Sequence, residues 1–306
     1  MTVYENVASS KNRTLFAAEP SVFPGRLSGG MTKFMLFLLA TGVSAALHAG
    51  PVSVLAPSKP EDFTDLRSKA PLPYPEQNAL LLNEKRAFYT KLVPVDTGKR
   101  YRLSGEFRLA PDSDELSIVF AVLPHTADGV RIYGPNICFV PGSETVLVSE
   151  ALKGGTVFKV KEVAKWDRAT AASIGRVAFD TDPSGKQGDL PNFNLSPFLS
   201  SVADDGTVTL KKPLEKSYPA GTPVRLHLDR KFFGIFTGFE KLGDRWKTLS
   251  VTVSPGSRLR PLNAPALYDW WPGTAKAAIL LYPFVPGEMP KGSGILFRNI
   301  KLEECD

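Results

Sequence analysis

Apolar and polar residues alternate along much of the chain, most regularly in the stretch Arg100–Leu109. Large apolar residues occupy alternate positions there, and Arg, Ser and Glu occupy the positions between them. A period of two along such a stretch indicates a strand with one buried face. Gly105 falls on the apolar side, where we expect either a close approach of a neighbouring segment or a bulge.

Further short stretches are rich in β-branched and aromatic residues, and Pro-Gly, Asp-Gly and Gly-Gly pairs separate them. These breakers are typical of turns between strands. The candidate strands are 115–123, 145–149, 156–161, 175–179, 207–211, 224–229, 232–239, 247–253, 277–284 and 294–303. No long amphipathic helix is evident. The pattern predicts an all-β protein, with a jelly-roll β-sandwich as the expected architecture.

The predicted sandwich domain spans residues 50–306. Its middle section, at about 142–229, has its own pattern of short strands and its own tryptophan. Pro-Gly and Pro-Ala-Gly turns lie near its two ends. We therefore expect a small β subdomain inserted into the sandwich.

The segment 31–49 has the pattern of a secretory signal peptide. Lys33 precedes an apolar run. Val43 and Ala45 are small residues at the positions −3 and −1 relative to a signal-peptidase cleavage site. We therefore expect cleavage after Ala45, with cleavage after Ala49 as the alternative. The run of about 14 residues is shorter than the roughly 20 that span a bilayer. The pattern predicts a secreted, periplasmic or cell-surface protein with no stable membrane span after cleavage.

Residues 1–30 show no periodicity and contain several Pro and Gly residues. We expect them to be a mis-annotated or disordered leader, with Met31 as the true start. The alternative is a membrane anchor that follows a short cytoplasmic tail.

Composition narrows the range of partners. The formal net charge is +6, but Lys and Arg are mixed with Asp and Glu, so nucleic acid is not an expected partner. Three His and two Cys argue against a four-ligand zinc site. In an exported chain Cys138 and Cys305 can form a disulfide or remain as two thiols, and the sequence does not show whether they are close.

Four segments resemble strands of jelly-roll carbohydrate-binding modules, which are galactose-binding-like sandwiches of secreted bacterial proteins. They are 99–110 (KRYRLSGEFRLA), 245–256 (RWKTLSVTVSPG), 270–284 (WWPGTAKAAILLYPF) and 294–304 (GILFRNIKLEE). The resemblance implies the sandwich fold and a glycan ligand. Arg298 stands where the family often has an Asp that belongs to a calcium site or a hydrogen-bond network. Arginine cannot ligate a cation, which argues against a calcium site of the family type.

The densest cluster suited to sugar binding is Tyr268, Asp269, Trp270 and Trp271, just before a Pro-Gly turn. Aromatic faces stack on the C–H face of a sugar ring, and carboxylates accept hydrogen bonds from its hydroxyls. Two consecutive Trp residues in a strand point to opposite faces. We therefore expect one ring in the core and the other at the surface, although packing alone is the alternative role.

Weaker candidates lie elsewhere. Trp166 in the predicted insert and Tyr133 in a loop could each contact a glycan, although Trp166 could equally be a packing residue. Asp180, Asp182 and Ser184 stand at alternate positions in a turn-rich loop that also contains Asp189, and this pattern resembles part of a calcium loop. The bidentate acid of an EF-hand is missing, so no cofactor is expected beyond, at most, a structural calcium ion.

These observations favour a secreted, non-catalytic protein that binds a polysaccharide or other glycan on exposed aromatic residues. The first alternative is an envelope or matrix protein that makes structural or protein contacts through its sheets. The second is a glycoside hydrolase or polysaccharide lyase on the same scaffold, with Glu106, Asp269 and Glu288 as available carboxylates. Nucleophile-elbow, P-loop and zinc-protease motifs are missing from the sequence.

Overall fold

The computed structural model describes residues 52–65, 69–184, 186–229, 233–256 and 268–305. The predicted leader and signal peptide, 1–30 and 31–49, lie outside the described residues. The described residues include two short α-helices, α1 (Gly134–Ile137) and α2 (Arg168–Ile174), and two short 3-10 helices, Pro60–Asp62 and Pro75–Gln77. The strands, in chain order, are β1 (Val52–Leu55), β2 (Phe63–Thr64), β3 (Leu72–Tyr74), β4 (Ala79–Leu82), β5 (Phe88–Thr90), β6 (Val93–Pro94), β7 (Arg100–Leu109), β8 (Ser117–His125), β9 (Thr145–Val146), β10 (Val157–Lys159), β11 (Gly175–Phe179), β12 (Leu199–Val202), β13 (Thr207–Leu210), β14 (Pro223–Leu228), β15 (Ile235–Lys241), β16 (Lys247–Val253), β17 (Lys276–Phe284) and β18 (Ile295–Cys305).

Two six-stranded antiparallel sheets hold the main core. The first has the order β16-β7-β18-β4-β3, with β1 also paired to β18. The second has the order β15-β8-β17-β5-β2, with β6 also paired to β17. Ring contacts join the sheets, for example Phe107 of β7 and Phe120 of β8 with centroids 4.9 Å apart. The prediction of an all-β protein is confirmed, whereas the finer jelly-roll connectivity stays a prediction.

Strand β7 occupies the predicted residues, and its burial alternates as the sequence indicates. Tyr101, Leu103 and Phe107 are buried, while Arg100 and Arg102 face outward. Gly105 marks a close approach, as expected, because a Cβ atom there would lie 2.4 Å from Cδ1 of Ile300. Glycine at this position therefore makes room for a buried side chain of β18.

A second hydrophobic cluster lies between two three-stranded antiparallel sheets, β11-β14-β9 and β10-β13-β12. Its buried residues run from Val140 to Leu228 and include Trp166 and Ala171, the latter from α2. A core of its own is what the predicted insertion at about 142–229 requires. The division of the chain into domains nevertheless stays a prediction.

The outer face of the second six-stranded sheet carries a third, smaller apolar cluster. Val119, Ala121 and Leu123 of β8 point to this side because they alternate with Ile118, Phe120 and Val122 in the main core. Partly buried aromatic residues cover them. We term this surface the aromatic face, and it comprises Tyr89, Phe233, Phe236, Phe239, Tyr282 and Phe284.

Candidate functional site

Trp270 and Trp271 are both buried, with exposed fractions of 1% and 2%, and both belong to the main core. Nε1 of Trp270 donates a hydrogen bond to the carbonyl of Lys99 at 3.3 Å, and its ring meets Tyr101 edge-on at 5.4 Å. The two residues follow a bridge and precede the turn at Gly273, outside any strand. The alternation of a pleated strand therefore does not apply to them. The expectation that one of the two rings faces solvent is wrong.

Tyr268 and Asp269 differ from their tryptophan neighbours. Tyr268 is 51% exposed and its carbonyl accepts a hydrogen bond from the amide of Ser254 at 2.6 Å, while Asp269 is half-buried in a bridge with the same serine. Tyr268 is therefore the ring of this predicted cluster that presents a surface to solvent. The adjacent residues 257–267 lie outside the described part of the chain.

The two weaker aromatic candidates have opposite environments. Trp166 is only 4% exposed, and its Nε1 donates to the carbonyl of Ser143 at 3.0 Å inside the second core. It is a packing residue and offers no exposed platform. Tyr133 is 44% exposed, with the guanidinium of Arg131 stacked 4.6 Å from its ring centroid. Tyr133 thus remains accessible, with a cation against its ring.

The predicted metal candidates hold a loop together through hydrogen bonds. The carboxylate of Asp182 accepts from the amides of Ser184 and Gly188 at 2.8 and 3.0 Å. Hydrogen bonds from Ser184 and Gly188 lower the pKa of Asp182 to about 2. Asp180 accepts from the amide group of Asn194 at 3.0 Å, and Asp189 from the backbone of Asp182 at 3.1 Å. Among the described residues no group of three or more His, Cys, Asp and Glu is placed to hold a metal ion.

Behind this loop lies a buried polar network centred on Arg225 of β14. Its guanidinium is fully buried, donates to Asp189 at 2.8 Å, and stacks on Phe139 at 4.3 Å. Its Nε donates to Nε2 of His227 at 3.3 Å, while Nδ1 of His227 lies 2.7 Å from the carbonyl of Pro135. Burial and the charge of Arg225 lower the pKa of His227 to about 4, so the imidazole is neutral near pH 7. This arrangement suits a structural role rather than acid–base chemistry.

Cys138 and Cys305 are not joined by a disulfide in the structure. Cys138 directly follows α1, and Cys305 ends β18 opposite Arg100. Both side chains are half-buried. Of the two alternatives that the sequence left open, the structure has the thiols.

Glu106, one of the available carboxylates, is engaged on the first sheet. Nε of Arg298 donates to it at 2.7 Å, and this hydrogen bond is the main cause of its lowered pKa. A general acid needs the opposite shift. Arg298 therefore forms an ion pair with Glu106 on the sheet surface.

A groove of about 710 Å³ lies beside the second core. One wall is the segment 193–198, which runs along β11. The amide of Phe179 donates to the carbonyl of Asn194 at 2.9 Å. The amide of Ser196 donates to the carbonyl of Val177 at 2.7 Å. Backbone hydrogen bonds thus fix this wall without a regular strand.

The second wall, the segment 211–218, is placed by the pairing of β12 with β13. Phe198 precedes β12 and Lys211 follows β13, so antiparallel pairing brings them to the same edge, where the amide of Lys211 donates to the carbonyl of Phe198 at 2.8 Å. We term the concavity the cationic groove. Its lining includes Arg176, Phe193, Phe198, Lys211, Lys212 and Lys216.

Cations and aromatic rings are interleaved in this groove. The guanidinium of Arg176 lies 4.1 Å from the centroid of Phe198, and Nζ of Lys211 lies 5.7 Å from the same ring. Lys216 lies 5.4 Å from the ring of Tyr218, whose pKa burial raises to about 12. The phenol is therefore neutral at ordinary pH. Phe193 is 49% exposed and leaves an apolar ring surface open to a ligand.

Our sequence-based prediction missed this groove because it judged charge over the whole chain. Lys211, Lys212 and Lys216 lie within six residues around a Pro, and Phe193 and Phe198 flank another Pro-containing stretch. A local search for lysines near aromatic residues in turn-rich segments would have found both groups. It could not have shown that they line one groove.

Comparison of the chain with protein-family models, with curated proteins and with solved structures found no match. The described residues include no helix with the length and apolar character needed to cross a membrane. The interpretation of function therefore rests on the geometry of the groove and on the sequence pattern.

Proposed function

We propose that this protein is a non-catalytic carbohydrate-binding protein and that the cationic groove is its binding site. The observation that carries the proposal is an exposed ring, Phe193, in a groove that also presents hydrogen-bonding side chains. Sugar rings stack on aromatic faces, and amide, ammonium and guanidinium groups donate to their hydroxyl oxygens. The signal-peptide pattern supports the proposal, because export brings a protein to extracellular polysaccharides.

The groove is partly open to solvent, which suits a ligand that extends beyond it, such as a chain of sugars. Its volume of about 710 Å³ lies within the usual range for ligand sites. Two chain segments form its sides, and Phe198 with Tyr218 supports the cations that line it. Asn194 in one wall accepts a hydrogen bond from Lys216 in the other, and it also donates to Asp180.

The test compares two equally exposed phenylalanines. Phe193 in the groove is 49% exposed, and Phe239 on the aromatic face is 52% exposed. Affinity electrophoresis of the full chain through gels that contain neutral and acidic polysaccharides measures retention. We expect Phe193→Ala to weaken binding about tenfold, which corresponds to about 1.4 kcal/mol, and Phe239→Ala to bind like wild type. The proposal would be contradicted if no polysaccharide retained the wild-type protein. It would also be contradicted if Phe193→Ala and Phe239→Ala were retained equally.

The aromatic face favours a second candidate function, in which the protein makes contacts with other copies through its sheet. Phe236 contacts Phe239 with ring centroids 6.0 Å apart, and Phe239 contacts Phe284 at 4.9 Å. Exposed apolar patches of this kind often mark interfaces. This function requires self-association that Phe239→Ser weakens and Phe193→Ser leaves unchanged. A monomer at every concentration in sedimentation equilibrium would argue against it.

A further inference from the structure

We propose that the ligand of the cationic groove is an acidic polysaccharide, one whose sugars carry carboxylate or sulfate groups. This inference rests on the proposed carbohydrate-binding function and names its ligand class. It is carried by charge, whereas the general function is carried by the exposed ring. The two can therefore fail separately.

The groove concentrates positive charge that the protein itself does not neutralise. Arg176, Lys211, Lys212 and Lys216 line it, against one lining carboxylate, Glu215. None of these four cations is in an ion pair with an acidic side chain among the described residues. Elsewhere on the surface, cations such as Lys159 and Arg168 are paired with nearby Asp residues.

The partners of the groove cations are neutral groups. Lys216 donates to the side-chain amide of Asn194, and Arg176 donates to the carbonyl of Ser196 at 3.3 Å. Nε of Arg176 is buried without a hydrogen-bond partner among the described groups. Neutral partners position these side chains but leave their charge uncompensated, so an anion is the ligand that completes the site.

Asp180, an acidic group near the groove, does not cancel this excess. Asp180 lies close enough to Tyr218 to contribute to its raised pKa, and its carboxylate is occupied by Asn194. With Asp180 and Glu215 both counted, the four cations still outnumber the carboxylates. A neutral polysaccharide would leave that excess unused.

The strength of such a site depends on repetition along the ligand. An exposed ion pair strengthens binding only about 1.4- to 5-fold, and salt screens it. A single acidic sugar would therefore bind weakly. A polymer with regularly repeated acidic groups can engage several cations together, and each further contact forms at high effective concentration.

The experiment measures retention of the full chain by matched ligands that share a backbone but differ in charge. Polygalacturonate is compared with its methyl ester, carboxymethylcellulose with hydroxyethylcellulose, and dextran sulfate with dextran. The carboxylate and sulfate arms distinguish the two kinds of acidic group. Poly-glutamate serves as an anionic polymer that has no sugar.

The variants are matched as well. Lys211→Gln, Lys212→Gln and Lys216→Gln are combined in one protein, and Lys161→Gln, Lys165→Gln and Lys291→Gln in another. Both sets remove three exposed lysines, but only the first set lies in the groove lining. Urea unfolding of both proteins checks that they are folded.

We expect the acidic member of at least one pair to bind and its neutral counterpart to bind at least about tenfold more weakly. Three exposed pairs of about 2.3-fold each predict about a tenfold loss of affinity in the groove variant and none in the control variant. Raising the salt concentration from about 50 mM to about 500 mM should weaken binding in wild type.

Three results would overturn the inference. Equal binding of charged and neutral partners, with sensitivity to Phe193→Ala, would refute the acidic ligand but leave carbohydrate binding intact. Binding of poly-glutamate as strong as that of the acidic polysaccharides, without sensitivity to Phe193→Ala, would show that the groove recognises charge and not sugar. No binding of any polysaccharide would refute both proposals.

Discussion

The guanidinium of Arg225 donates a hydrogen bond to the carboxylate of Asp189 across 2.8 Å, at a position where Arg225 has no solvent exposure. This contact ties β14 to the acidic loop that leads into the groove wall at Phe193. The amide of Asn192 joins the same network, since it donates to Asp189 at 3.2 Å and to the carbonyl of Phe179 at 3.0 Å. A buried charge pair thus determines where one side of the candidate site lies.

Removing Arg225 should destabilise the protein strongly. In Arg225→Met, Asp189 would keep its carboxylate in a mostly buried position without a charged partner, which typically costs about 3–5 kcal/mol. Urea unfolding at pH 7 measures the free energy of unfolding. The control is Arg168→Met, because Arg168 and its partner Asp204 are both exposed and their pair should contribute about 1 kcal/mol or less. Similar losses in both variants would contradict the role of the buried pair.

The free energy of unfolding should fall as the pH drops from about 6.5 to 4. The pKa of His227 is lowered to about 4 in the folded state, so over this window the unfolded chain binds a proton that the folded chain does not. The contribution is complete above pH 6.5, is lost on the way to pH 4, and amounts to at most about 3 kcal/mol. His125, whose pKa burial also lowers, acts in the same direction.

His227→Gln separates this effect from others, because the carboxylates with lowered pKa, such as Asp182 and Asp205, titrate mainly below pH 4. Unfolding curves recorded between pH 7 and pH 4.5 should show a shallower pH dependence in the variant than in wild type. Parallel pH dependences would show that His227 does not titrate as described.

Trp270→Ala should lower the free energy of unfolding rather than alter an exposed binding surface. The ring is 1% exposed, packs against Tyr101 and belongs to the main core. Truncation of such a residue costs about 3–5 kcal/mol because it leaves a cavity. Tyr268→Ala, two residues earlier and 51% exposed, should change the free energy of unfolding by less than about 1 kcal/mol. Thermal or urea unfolding compares the two variants. A larger loss of stability in Tyr268→Ala than in Trp270→Ala would refute the assignment of Trp270 to the core.

Added calcium should leave the melting temperature unchanged. The carboxylates of Asp180, Asp182 and Asp189 already accept hydrogen bonds from Asn194, from backbone amides and from Arg225. A cation that bound there would have to displace these donors. Melting curves with millimolar calcium and with chelator test this, and a calcium-dependent rise in melting temperature would restore the calcium loop as an interpretation.

The strand pattern could be predicted because it depends on local chemistry. In Arg100–Leu109 the period of two follows from the pleat, so it is visible in the sequence and holds in the structure. The position of Gly105 on the apolar side also indicated a close approach or a bulge there, and the structure has the close approach. The partner that makes it, Ile300, lies far along the chain, and only the pairing of β7 with β18 identifies it.

The sequence by itself determined that the described part of this protein is all-β, through the alternation of apolar residues and the Pro and Gly residues between strands. The tertiary structure alone decided which aromatic residues are accessible. Trp270 and Trp271 entered the core because a turn, not a strand, orients them. Arg176, Phe193 and Lys211 met in one groove because sheet pairing brings distant segments together, and such contacts depend on register and packing that no local pattern records.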